Sequence, residues 1–147
     1  MLANDRLLQP ARIFLVEDSA AFLRLTKSII TKRADLSVVG EAADGVNAQC
    51  LIERIHPDLV VLDIGLPRLS GIEVARRILS LASPPKVLFL SLESSVEVVH
   101  YVLDLGAHAY VLKVDIQKEL LRAIDAILQG NNDAYISGSL RMRDNSL

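Results

Sequence analysis

The stretch from Asp58 to Ser91, DLVVLDIGLPRLSGIEVARRILSLASPPKVLFLS, holds one complete unit of the pattern that decides the fold. It begins with Leu59-Val60-Val61-Leu62 and ends with Val87-Leu88-Phe89-Leu90, two short runs without a polar residue. Residues 71–82 between them place apolar side chains at three- and four-residue spacing, the mark of a helix with one buried face. A strand that is apolar on both faces needs cover on both, and a crossover helix supplies it, so strand, helix and strand together indicate a parallel sheet.

Working outward, the same alternation covers most of the chain. Five strands are expected at Arg12 to Glu17, Leu36 to Glu41, Asp58 to Asp63, Lys86 to Ser91 and His108 to Lys113. Helices are expected at about 19–32, 45–55, 71–82, 95–105 and 116–129. The result is a (βα)5 unit, an α/β sandwich. Ser70-Gly71-Ile72-Glu73 and Ser94-Ser95-Val96-Glu97 have the Ser-x-x-Glu form in which each side chain caps the other's free backbone N–H. Pro57, Pro84-Pro85, Gly106 and Gly130 close the second to fifth helices. The expected organisation is an extension over 1–10, one domain over 11–130, and a tail or the start of a linker over 131–147, where periodicity stops.

At 147 residues and 51% hydrophobic composition, with a mean hydropathy of +0.34, the chain fits one domain and has enough apolar surface to fold without staples. Sixteen Lys and Arg against 18 Asp and Glu leave a net charge of -2, which argues against bulk binding to nucleic acid. Cys50 is the single cysteine; it can form neither an intrachain disulfide nor a thiolate zinc site and is expected as small buried helical filler. The start has no basic segment leading into an apolar one, and no apolar run approaches the ~20 residues of a membrane span, so a cytoplasmic setting away from membranes is expected.

Ligands of open α/β sheets sit beyond the carboxyl ends of the strands, where strand order reverses. Strand 1 delivers Glu17-Asp18 to that edge, strand 3 Asp63, strand 4 Ser91 and strand 5 Lys113. Each alone reads as a cap, a turn residue or a solvated end. Together they read otherwise, because three converging carboxylates repel one another unless a cation stands among them. An all-oxygen site with room for water and phosphate suits Mg²⁺. Lys113 and the Ser91 hydroxyl can then stabilise a phosphoryl group in transit, and Asp63, on the central strand, is the best-placed nucleophile.

Phe14-Leu15-Val16-Glu17-Asp18-Ser19, Asp63-Ile64-Gly65-Leu66-Pro67-Arg68-Leu69-Ser70-Gly71, Val87-Leu88-Phe89-Leu90-Ser91 and Gly106-Ala107-His108-Ala109-Tyr110-Val111-Leu112-Lys113 resemble, in order and spacing, the receiver domain of two-component response regulators. The resemblance runs from about Arg12 to Gly130. It implies a CheY-like, flavodoxin-like three-layer sandwich with a doubly wound five-stranded sheet of order 2-1-3-4-5. It further implies that Glu17, Asp18, Asp63 and the Gly65 backbone carbonyl hold Mg²⁺, that Asp63 accepts a phosphoryl group from a histidine kinase, and that Lys113 is the essential lysine. Ser91 and Tyr110 would act as the switch that reshapes the face of helix 4, strand 5 and helix 5. Such a domain assists its own phosphorylation and dephosphorylation but is a signalling module rather than an enzyme.

Leu120 to Gly130 followed by Asp133-Ala134-Tyr135-Ile136-Ser137 is similar to the end of NarL/FixJ-class (LuxR-type) receivers. In that class a helix-turn-helix domain normally follows and controls transcription; no helix-turn-helix pattern is visible in these residues, so direct nucleic-acid binding by this segment is not expected. Helix 4, with Val96, Val98, Val99, Tyr101, Val102, Leu103 and Leu105, is apolar nearly all round, which suggests either a wide core stripe or a homodimer face with its neighbours. Helices 1 and 5, through Phe22, Leu23, Leu25, Ile29, Leu121 and Leu128, are the alternative face.

Two residues depart from the family pattern. Leu92 stands where a small residue usually follows the Ser/Thr, which motivates the alternative of a receiver-shaped interaction module that is never phosphorylated. Val114 replaces a common proline, so a trans bond is expected after Lys113. A third reading, an unrelated doubly wound phosphatase or nucleotide-binding protein, lacks the glycine-rich loops and the aspartate two residues after Asp63. His56, His100 and His108 have no metal-ligand spacing and are expected in structural or solvent roles.

Overall fold

All four side chains of Leu59-Val60-Val61-Leu62 are buried, as a strand with neighbours on both edges and helices over both faces requires. The computed structural model describes residues 9–147, so nearly all of the extension expected over 1–10 lies outside the described residues. The chain runs β1 (Ala11–Val16), α1 (Ala20–Ile30), β2 (Leu36–Ala42), α2 (Gly45–Ile55), β3 (Leu59–Leu62), α3 (Gly71–Leu79), β4 (Lys86–Ser91), α4 (Val96–Leu105) and β5 (Ala109–Leu112). A 3-10 turn (Lys113–Asp115), α5 (Ile116–Leu128), β6 (Tyr135–Ile136) and α6 (Gly138–Arg143) follow. Every pairing is parallel, in the order β2-β1-β3-β4-β5-β6. The doubly wound 2-1-3-4-5 arrangement is therefore present, with a sixth strand added beyond β5.

Period-2 alternation divides the strand side chains between two cores. Phe14, Val16, Val60, Leu62, Val87, Phe89, Tyr110 and Leu112 face α2, α3 and α4, where they meet Ile52, Ile78, Val99 and Val102. Ile13, Leu15, Leu59, Val61, Leu88, Leu90, Ala109 and Val111 face α1 and α5 and pack on Ile29, Ile30, Leu120, Ala123, Ile124 and Ile127. Strand β2 is the exception to burial on both faces, since it is an edge and only Leu36 and Ala42 are buried.

Helix starts follow side-chain chemistry. Ser19, Asp44, Ser70 and Ser95 each cap a helix by accepting a backbone N–H three residues on. Both Ser-x-x-Glu expectations need correction: Ser70 Oγ accepts Glu73 N–H, but the Glu73 carboxylate binds Arg76 and Arg77 in place of Ser70 N–H, and the second cap is Ser95 rather than Ser94, accepting from Val98 N–H. Glu93, not Glu97, closes the reciprocal bond by accepting Ser95 N–H at 2.9 Å, while Ser95 Oγ donates to Glu97. Helix α3 ends at Leu79, short of the expected 82, because Ser80 Oγ donates to the Arg77 carbonyl at 2.7 Å and turns the chain. Cys50 is exposed, contrary to the filler expectation; Ala48 and Ile52 form the buried face of α2.

The largest correction concerns residues 131–147. Instead of a tail, they return to the sheet: Tyr135 and Ile136 pair with Ala109 and Tyr110, and Ile136, Ser137 and Leu140 are buried. Two strand residues and a helix of one and a half turns are too short to leave a periodicity. Farther on, Ser146 Oγ lies 3.1 Å from His100 Nε2 on α4, and Leu147 packs against the α2–α4 core. On α4 itself only Val99 and Val102 are fully buried, and Tyr101 is exposed. Among the described residues there is no cis peptide bond, and no helix is long and apolar enough to cross a membrane.

Leu140→Ala separates a docked segment from a free one. Loss of this fully buried side chain is expected to cost about 2–4 kcal/mol in urea unfolding; a cost near zero would mean that α6 does not pack on the sheet.

Candidate functional site

Strand register brings the polar residues together. Val16 stands opposite Leu62, so Glu17 and Asp63 emerge side by side from β1 and β3, and Asp63 N–H donates to the Val16 carbonyl at 3.1 Å. Leu62 stands opposite Phe89, and Ser91 opposite Leu112, which carries Ser91 and Lys113 past the same edge. The order reverses between β1 and β3, so their helices leave to opposite faces and a cleft opens between the loops. Glu17, Asp18, Asp63, Gly65, Ser91 and Lys113 all line it. Tyr110 does not; it lies behind, fully buried and stacked on Phe89 with ring centroids 6.1 Å apart.

The centre of the cleft is an ion triad. Lys113 Nζ stands 2.6 Å from Glu17 Oε1 and 3.0 Å from Asp63 Oδ2, and the three side chains are 9%, 7% and 10% exposed. That is dry enough for each charge to need its partners. The ammonium also lies 4.5 Å from the centre of the Phe22 ring on α1. Glu17 Oε2 accepts Ser19 N–H at 3.0 Å, and Asp63 Oδ1 accepts Ile64 N–H at 2.7 Å. Burial pushes the Glu17 carboxyl above the usual carboxylate range; Lys113 and the Ser19 N–H offset part of this and the Asp63 charge adds to it. For Lys113 burial works against the charged form, but Glu17 and Asp63 outweigh it and hold the ammonium above the ordinary lysine value.

Exposed Asp18 joins Glu17 and Asp63 in a group whose carboxylate oxygens lie within 4.8 Å of one another. This donor set fits a hard divalent cation such as Mg²⁺: it is all oxygen and negatively charged, and it is open on one side to water. Gly65 stands exposed at the rim, and nothing lies within 4 Å of where its Cβ would be.

Two loops shape the cleft. The β3–α3 loop closes where Gly71 N–H donates to the Ile64 carbonyl at 2.8 Å, and a Cβ on Gly71 would sit 1.8 Å from the Asp63 carbonyl oxygen. Only glycine lets the start of α3 lie against the backbone of Asp63. In the β4–α4 loop, Ser91 Oγ accepts Glu93 N–H at 3.1 Å and keeps a proton of its own to donate. The Glu93 carbonyl accepts the Tyr110 hydroxyl at 2.7 Å, so Ser91 and Tyr110 are joined through one residue. Burial pushes the Tyr110 phenol far up, so it remains a donor.

The cleft thus unites the five polar residues expected from the sequence and Gly65, and leaves Tyr110 behind it. Reasoning from sequence gave Phe22 only to a dimer face and missed its contact with Lys113, the Glu93 carbonyl as partner of Tyr110, and the packing role of Gly71. A glycine at the first helical position, a poor helix former, is the signal that marked Gly71. Histidines take the expected structural roles: His108 Nδ1 accepts Val87 N–H at 3.1 Å, and burial with the nearby Lys86 charge lowers its pKa.

The sequence pattern described as the response regulator receiver domain matches residues 13–125. The transcriptional regulatory protein DegU of Brevibacillus brevis is 33% identical over 125 residues, 85% of this chain and 52% of that protein. A LuxR-family two-component response regulator from Aurantimonas sp. SI85-9A1 superposes with a TM-score of 0.84 at 32% identity, covering 91% of this chain and 94% of that one. The receiver domain of NarL from Mycobacterium tuberculosis gives 0.79 at 28% identity, over 84% and 99%. The chain belongs to the receiver domains of two-component response regulators. Within them it stands with the NarL/LuxR-type receivers, and it spans about half the length of the curated relatives it matches, 52% of DegU for one.

The raised Glu17 pKa has a thermodynamic sign. The folded chain binds that proton more tightly than the unfolded one, so stability falls as pH rises from the ordinary glutamate range through the folded value. Without divalent cations, Glu17→Gln is therefore expected to unfold at higher urea than the parent near neutral pH, the gap closing toward about pH 4; a variant weaker than the parent at neutral pH would contradict the burial cost. Gly71→Ala is expected to lose about 1–3 kcal/mol by overpacking and to shift the Asp63 amide resonance. An unchanged urea midpoint would show that the loop yields freely.

Proposed function

We propose that Asp63 is the phosphoacceptor of this receiver and that a histidine kinase is the donor. The observation that carries the reading is the Lys113 ammonium bridging Glu17 and Asp63 inside a cleft also lined by Asp18, Gly65 and Ser91. A carboxylate oxygen of Asp63 attacks phosphorus, the bond to the donor nitrogen breaks, and an aspartyl phosphate forms. Lys113 stays paired with the charge that develops on the phosphoryl oxygens, and the Ser91 hydroxyl donates to one of them. Glu17, Asp18, Asp63 and the Gly65 carbonyl would hold Mg²⁺, which supplies a positive charge that offsets the carboxylates and polarises the phosphoryl group.

The loop 91–93 links this chemistry to the surface. A phosphoryl oxygen recruiting Ser91 pulls on Glu93, whose carbonyl holds the Tyr110 hydroxyl, and so changes the balance of arrangements across α4, β5 and α5. The output is dimerisation through that face or through α1 and α5, and transcription exerted by a DNA-binding domain outside this segment. The protein works in the cytoplasm, where kinase domains and Mg²⁺ are available. Leu92, the motive for a module that is never phosphorylated, is 72% exposed, so its bulk stands largely in solvent.

Incubation with acetyl phosphate and MgCl2 is expected to add the mass of one phosphoryl group to the intact chain. Asp63→Asn is expected to add none, and EDTA to suppress the gain in the parent. A parent chain that gains no mass under any donor and metal condition would move the reading to an interaction module.

A further inference from the structure

The turn that carries Lys113 is held by the segment that follows α5. Lysine has many rotamers, so fixing its ammonium 2.6 Å from Glu17 and 3.0 Å from Asp63 requires a backbone that does not drift. On the β5 edge, the last residue paired with β6 is Tyr110, and one ladder position later the Leu112 N–H would be left without a strand partner. Ser137 Oγ accepts it at 3.0 Å. The same hydroxyl donates to Asp115 Oδ2 at 3.0 Å, and Ser139 Oγ donates to Asp115 Oδ1 at 2.9 Å. One buried oxygen therefore ties the residue before Lys113 to the residue two after it.

The clamp is itself anchored on three sides. Ser137 N–H donates to the Tyr110 carbonyl at 2.9 Å, Leu140 is fully buried, and Glu119 on α5 receives Gly138 N–H at 3.0 Å and the Tyr135 hydroxyl at 2.8 Å. A segment needed only to cover an edge strand would satisfy β5 alone. This one also engages both oxygens of Asp115, and the stretch enclosed between Leu112 and Asp115 is Lys113-Val114.

We propose that Ser137 and Asp115 are positioning residues for Lys113, so that the chain after α5 is part of the phosphoacceptor machinery rather than a tether leaving it. The inference rests on the reading of Lys113 as the group that stabilises the transferring phosphoryl. Removing the Ser137 hydroxyl leaves Leu112 N–H unpaired in the interior and frees one side of the turn. A displacement of well under an ångström at the ammonium is enough to slow transfer. Metal uptake, which depends on the carboxylates, is untouched.

The test uses the full chain as Ser137→Ala, Ser137→Thr and Ser139→Ala, with labelling by acetyl phosphate followed against MgCl2 concentration, and amide exchange on the metal-free chain. Ser137→Ala is expected to lose about tenfold or more in maximal labelling rate, with half-saturating MgCl2 held within about twofold and faster exchange at Leu112. Ser137→Thr keeps the hydroxyl and is expected to recover to within about threefold of the parent. Wild-type labelling by Ser137→Ala, whatever its melting temperature, or a Leu112 amide as protected as before, overturns the proposal. Equal losses in the Ala and Thr variants do so too, since packing and not the hydroxyl would be responsible. Should Ser137→Ala fail to fold, Ser139→Ala removes one donor to Asp115 from a half-buried position; a rate reduced about threefold supports the clamp and an unchanged rate refutes it. A labelled parent with unaffected variants overturns this inference alone, whereas a parent that takes no phosphoryl group overturns the phosphoacceptor reading and the clamp with it.

Discussion

One ammonium group holds the site together. Glu17 and Asp63 leave adjacent strands side by side, and in so dry a place two carboxylates repel each other. Lys113 arrives from two strands away and neutralises both, while the Phe22 ring lies close to its outer side. The arrangement sets the carboxylates at a rim whose donor set fits a divalent cation, and the cost of burial on Glu17 is relieved when more positive charge arrives.

The rest of the fold exists to deliver those three groups. Parallel strands, buried on both faces, end in register at one edge, and the reversal of order between β1 and β3 opens that edge. Fine placement comes from backbone contacts. Gly71 lets α3 begin against the carbonyl of Asp63, Ser19 N–H orients Glu17, and Ile64 N–H orients Asp63. Arg12 serves the frame at the opposite end, donating to the Ile55 and His56 carbonyls where α2 finishes in a left-handed residue. On the far side of the sheet, Arg33 binds Asp35 and Asp125 at 2.8 Å each and ties the entry of β2 to α5.

The chain after α5 changes the picture of the α4–β5–α5 face. In place of an open apolar surface, β6 adds to the sheet, Leu140 fills the core beside Tyr110, and Ser146 approaches His100 on α4. The face proposed for output is therefore partly covered from within, and the cover touches the same β5 residues that flank Lys113 and include Tyr110. Tyr110, the turn that carries Lys113 and the returning chain thus meet along β5.

Most of the architecture was legible in the residues. Apolar runs bounded by Gly, Pro and Ser located five strands and five helices to within a few residues, because a doubly covered strand must be apolar throughout and a helix must show its three- and four-residue spacing. Glu17, Asp18, Asp63, Ser91 and Lys113 were legible as strand-end polar groups for the same reason, and resemblance added Gly65 and Tyr110. Residues whose role depends on distant neighbours were not. Ser137, Asp115 and Glu119 look like ordinary surface polar residues, β6 and α6 are too short for a period, Cys50 has the composition of a core residue yet faces solvent, and Ser94 and Ser95 are equal candidates until Glu93 turns back to the chain. Alone, the sequence determined the first five strands, the five helices that follow them and which polar groups reach the carboxyl edge of the sheet, since local spacing encodes these. Only the tertiary structure decided which edge the chain's end covers and what Lys113 leans on, because hydrogen bonds between residues about twenty positions apart leave no local pattern.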